Sequence, residues 1–85
     1  MPEISRFYGI VITMYFPDHN PPHFHIKYNE HLAVMDIATG VINGKLPEKA
    51  DKMVHEWWNH HKDGLWTNWI KMKNGETMVK IKPLE

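Results

Sequence analysis

Apolar and polar residues alternate through the first half of the chain, and the period lengthens in the second. From Gly9 to Phe16 the residues Ile10, Ile12, Met14 and Phe16 fall on one side of an extended chain, with Val11, Thr13 and Tyr15 on the other. That strand stops at Pro17-Asp18. The next five residues, Asp18 to Pro22, have turn chemistry, because proline removes backbone donors and Asx side chains start turns. A second strand is predicted from His23 to Tyr28, where Phe24, Ile26 and Tyr28 alternate with His23, His25 and Lys27. Asn29-Glu30 links it tightly to a third strand, Leu32 to Ile37, and Val41-Ile42 reads as a short fourth. Short links between successive strands imply an antiparallel meander.

After Asn43-Gly44 the period becomes helical. Pro47 suits the first position of a helix, and Ala50, Met53, Val54, Trp57 and His61 recur along one face to about Lys62. Asp63 is placed to cap a second helix with Leu65, Trp66, Trp69 and Ile70 inward, ended by Asn74-Gly75. Thr77, Val79 and Ile81 alternate as a last strand before Pro83. Strands first and helices afterwards predict an α+β fold: a three- or four-stranded antiparallel sheet packed against two C-terminal helices on one face. The 85 residues make a single domain, 1–85.

Composition sharpens this in three ways. Four Trp, three Phe, three Tyr and six Met give a short chain the bulk its core needs. With no Cys, the chain has no disulfide framework, thiol nucleophile or thiolate metal site, in keeping with a reducing cytoplasm. The longest apolar run, Ile10 to Phe16, is broken by Thr13 and far short of a membrane span. The N-terminus lacks a basic segment followed by an apolar one, so a cytoplasmic protein with no membrane partner is expected. Ten basic and ten acidic residues cancel, which disfavours nucleic-acid affinity from net charge alone and leaves room for a local basic patch. Seven His are the outlier.

The candidate chemistry sits on the hairpin Asp18-His19-Asn20-Pro21-Pro22-His23-Phe24-His25. In a strand, His23 and His25 share a face with Cα atoms roughly 6.5–7 Å apart, and His19 on the turn is a plausible third. Three such imidazoles suit a Zn²⁺ or another divalent transition metal, with Asp18, His31 or Asp36 completing the set or orienting it. Two of them equally suit acid–base catalysis of RNA cleavage, His19, His23 and His25 being the candidate catalytic groups. Lys27, on the same face, and Arg6, the single arginine, would bind the phosphate. In a third reading the histidines are polar residues of a half-exposed sheet bonded to turn carbonyls, with no cofactor.

Elsewhere the signals are plainer. His55-Glu56-Trp57-Trp58-Asn59 has Asn where a zinc-protease helix carries its second His, and His60-His61 are read as structural. Trp58 lies off the buried stripe and is a candidate interface anchor. Lys71, Lys73, Lys80 and Lys82 make a modest basic region, as well explained by a solvated face as by phosphate contact.

The run Met1-Pro2-Glu3-Ile4-Ser5-Arg6-Phe7-Tyr8-Gly9-Ile10-Val11-Ile12, then Met14-Tyr15 and Asp18 to His25, closely resembles the small bacterial domain-of-unknown-function family 4160. Gly44-Lys45-Leu46-Pro47, Glu56-Trp57, Asn68-Trp69 and Ile81-Lys82-Pro83-Leu84 fit the same pattern. At Asp63-Gly64-Leu65 the chain departs from the acidic pair or Glu-Leu of the family. The resemblance implies a component of a two-gene module, toxin–antitoxin-like or regulatory. Its partner would be a small protein encoded by a neighbouring gene, with RNA or DNA as a further partner.

Overall fold

The computed structural model describes residues 3–15 and 21–84. Within them the order is β1 (Glu3–Phe7), β2 (Ile10–Thr13), β3 (His23–Tyr28), β4 (His31–Asp36), β5 (Ile42–Gly44) and α1 (Glu48–Lys73). The five strands form one antiparallel sheet in chain order, β1-β2-β3-β4-β5. The α+β expectation and the meander hold, but there are five strands instead of three or four. The extra one is β1, which sequence alternation hides. Its pairing with β2 is irregular between Glu3 and Ser5, so Ile4 and Ser5 are both buried in succession. Tyr8 and Gly9, both at positive φ, turn β1 into β2 as a two-residue hairpin. Asn29, at φ 53°, does the equivalent between β3 and β4.

The expected pair of helices is instead one helix of 26 residues with a kink at His61 (φ −127°, ψ 24°). Asp63 therefore lies inside the helix and caps nothing. Both halves bury residues against the same sheet, Ala50, Val54 and Trp57 before the kink and Leu65, Trp69 and Met72 after it. A bend keeps that curved interface closed where two separate helices would each need new caps. The expected last strand is also absent. Residues 76–84 run without regular structure, joined to the sheet by the Ile81 N–H donating to the Ile4 carbonyl at 2.7 Å.

One face of the sheet is the core. Ile10, Ile12, Met14, Phe24, Ile26, Met35 and Ile37 are completely or almost completely buried, and Trp57 fills the centre against Phe7 and Phe24, with ring centroids 5.4 and 5.8 Å away. Gly44 is required where β5 pairs with Ala33 of β4. It sits at φ 117°, and a Cβ there would come within 2.7 Å of the Leu32 carbonyl oxygen. Among the described residues, no helix is long and apolar enough to cross a membrane.

Candidate functional site

Strand periodicity that buries Phe24 and Ile26 necessarily turns His23, His25 and Lys27 to the opposite face. Register then fixes their neighbours. Arg6, Val11, Lys27 and Leu32 form one row across the strands, and Glu3, Thr13, His25, Val34 and Asn43 the next. His23 stands opposite Asp36 in a third row. At His23 this face meets Trp69 of α1, and from the Lys27 row to the His25 row it is open. It forms an open groove of about 470 Å³ with Tyr15 and His25 at one end and Leu32 and Asn43 on its floor and rim.

The two histidines do converge. The His23 and His25 ring centroids are 5.3 Å apart at 67°, and Tyr15 meets His25 edge-on at 4.4 Å. His23 also touches Trp69 of α1 at 5.4 Å, so one aromatic row runs from the groove into the core. The His23 Nδ1–H donates to the Pro21 carbonyl oxygen at 2.7 Å. A carbonyl only accepts, so the proton is on Nδ1, and in the neutral ring Nε2 is the acceptor. Pro21, the expected turn-former, thus also sets the tautomer of a candidate catalytic group.

The candidate cations differ from each other. Arg6 is engaged by Glu3, its Nη2 at 2.7 Å and Nε at 3.3 Å from the carboxylate oxygens. That hydrogen bond holds the Glu3 carboxyl below its ordinary range and raises the guanidinium in turn. Lys27 shares the groove and, among the described residues, forms no ion pair.

His19 and Asp18 lie outside the described residues. His31 pairs with Tyr28 at the far end of the β3–β4 hairpin, away from His23. Asp36 lies beside His23, but its Oδ1 accepts from the Ala38 and Thr39 N–H groups at 2.8 and 3.0 Å. Among the described residues no group of three or more His, Asp or Glu is placed to hold a metal. His23 and His25 alone supply two of the three or four ligands that Zn²⁺ takes.

Trp58 is half-buried, and its contacts are internal. Its indole N–H donates to the Ile37 carbonyl at 2.9 Å, Lys62 lies 4.6 Å from the ring, and the ring covers Gly40 so closely that a Cβ there would be 2.7 Å away. The His55 Nε2–H donates to the Gly40 carbonyl at 3.0 Å, reinforcing the same junction of α1 with the β4–β5 turn. His60 and His61 line a shallow hollow with Glu56 and Lys82, far in sequence from the hairpin. Burial, with His60 and Lys82 nearby, pushes the His61 imidazole below its ordinary value.

Tyr15, Val11, Leu32, Val34 and Asn43 line the groove beside the candidate residues, although no motif marks them. The alternation already put Tyr15 and Val11 on the outer face, which was the available signal. Leu32, Val34 and Asn43 join them only through register.

A family model described as a domain of unknown function (DUF4160) matches residues 9–70, most of the chain and all of β2 through β5. No curated protein and no solved structure matches.

Proposed function

From the premise that this chain belongs to the DUF4160 family of domains of unknown function, we propose that it is the cytoplasmic half of a two-gene bacterial module, toxin–antitoxin-like or regulatory. It acts through a small protein encoded by a neighbouring gene, which covers the outer face of the sheet. One observation carries this reading: a face mixing Val11, Val34 and a 68% exposed Leu32 with Arg6, Lys27 and His25 lies open beside a fully packed opposite face. Apolar residues grouped in register and rimmed by charge are what partner surfaces present. The test is co-expression with the neighbouring gene product followed by size-exclusion chromatography. Co-elution at the summed mass is expected, and two separate peaks at micromolar concentration would overturn the reading.

A second reading is favoured by the histidine geometry itself. His23, its Nε2 fixed as acceptor, and His25, 5.3 Å away, suit a base and an acid in cyclising RNA cleavage. One imidazole removes the proton from a ribose 2′-hydroxyl, and that oxygen attacks phosphorus. The bond to O5′ breaks as the other imidazole supplies its proton, giving a 2′,3′-cyclic phosphate and a 5′-hydroxyl. Lys27 would stabilise the charge on the phosphorane-like centre. His23→Ala and His25→Ala are each expected to abolish cleavage of single-stranded RNA with the melting temperature preserved, and retained cleavage in both removes the reading. Such an enzyme, capped by its partner, would be silent until released. A transition-metal site remains a third proposal, with His19 as the ligand to add. Its signature is metal at one equivalent after purification.

A further inference from the structure

Cross-strand register gives the groove beside His25 a defined size and lining. Register makes a quadrilateral of Lys27, His25, Val34 and Leu32, because Lys27 pairs with Leu32 and His25 with Val34. Its sides are ~6.5–7 Å along the strands and ~4.8 Å between them, on the scale of one nucleobase ring system. Leu32 and Val34 make an apolar floor on the β4 side. Asn43, paired with Val34 on the next strand, stands at the outer rim of that floor. On the opposite side are the Lys27 ammonium and, one strand further, the Thr13 and Tyr15 side chains. The groove volume of about 470 Å³ holds one such unit and lies within the range of small-ligand sites.

We propose that this groove binds one nucleotide of single-stranded RNA, its base on Leu32 and Val34 and its phosphate at Lys27. The inference rests on the RNA-cleavage reading and names the substrate contacts of that site. Asn43 offers a carboxamide, with a donor and an acceptor together, to the edge of the base, an arrangement that discriminates between bases. Lys27 supplies a point charge for the phosphate, and the ribose between them lies over His25, where its 2′-hydroxyl is within reach of the imidazole pair. Duplexes are excluded, since a stacked, paired base cannot lie flat on the sheet. Arg6 is held by Glu3, so the groove gathers little excess positive charge. Affinity then comes mainly from the base and one phosphate and depends weakly on salt.

The experiment is fluorescence anisotropy of the full chain with a fluorescein-labelled ten-nucleotide single-stranded RNA of mixed sequence, the same sequence as DNA, and an RNA duplex. Wild type is expected to bind the single-stranded RNA at least tenfold more tightly than the duplex. Lys27→Ala and Leu32→Asp should each weaken binding about tenfold with unchanged circular dichroism, and Asn43→Ala should flatten the preference among homopolymers. Equal affinity for the duplex, or wild-type affinity in both Lys27→Ala and Leu32→Asp, overturns the assignment. Gel analysis of the same samples separates the two ideas. Binding that follows these expectations without cleavage at any pH supports the groove and removes the catalytic reading. Cleavage that survives Leu32→Asp and Asn43→Ala, at two residues with no part in the chemistry, supports catalysis and removes the groove.

Discussion

At the scale of the residue, His23 shows how one hydrogen bond gives a polar side chain a defined tautomer. Free imidazole samples two tautomers, whereas a carbonyl 2.7 Å from Nδ1 selects one. His61 shows the reverse, a ring whose surroundings disfavour its charged form. Its ring packs on Trp57 at 5.5 Å, at the kink of α1, and its value is lowered from 6.5 by burial first, then by His60 and Lys82. The consequence for stability has a definite sign. Above the ordinary value both folded and unfolded chains hold a neutral ring, so His61 contributes no slope. As pH falls through 6.5 the unfolded chain takes up its proton first, and the folded state loses ground until the lower folded value is passed. The melting temperature of wild type relative to His61→Gln is therefore expected to fall between pH 7.5 and pH 5.5, as read by thermal unfolding in matched buffers. A difference that stays constant or widens in favour of wild type would contradict this origin.

Among the elements, the segment 76–84 is held by side chains in place of a ladder. Asn68, only 1% exposed, donates from Nδ2 to the Val79 carbonyl at 2.7 Å and accepts the Val79 N–H on Oδ1 at 2.8 Å. Its carboxamide thereby imitates the backbone of a neighbouring strand. The Trp57 indole N–H donates to the Lys82 carbonyl at 2.9 Å, and Ile81 lies against Gly64. This explains why an alternating Thr77-Val79-Ile81 is not a strand: its backbone partners lie mostly on α1, which offers no ladder. Asn68→Ala removes both bonds to Val79 and leaves their backbone partners to find water. A loss of roughly 2–3 kcal/mol is expected, measurable by urea unfolding. The Val79 amide should lose hydrogen-exchange protection more than the amides of β3. Unchanged protection at Val79 would show that the segment is held by other contacts.

For the whole molecule, the fold divides its two sheet faces by task. One is consumed by α1 and the core, and the other is left with Leu32 exposed beside Val34 and Lys27. Because Leu32 makes little contact with the core, changing it tests the surface without testing the fold. If the proposed partner covers this face, Leu32→Glu is expected to abolish co-elution with it while altering stability by less than about 0.5 kcal/mol. A variant that still co-elutes would move the partner to another surface. Trp58, expected from its position off the stripe to be an anchor, is engaged with Ile37 and Gly40, so the outer sheet face is the better candidate for recognition.

Three things were determined by local sequence alone: the strands β2 to β4, the helical period after Pro47, and the sharing of one face by His23, His25 and Lys27. Side-chain direction alternates every residue in a strand and repeats every 3.6 in a helix, so these follow from neighbours in the chain. Tertiary structure decided the rest. β1 exists because its irregular backbone is paired by β2, and α1 continues through Asp63-Gly64 because a common core spans both halves. Leu32, Val34 and Asn43 meet His25 only through cross-strand register, an interaction between segments that no local pattern encodes.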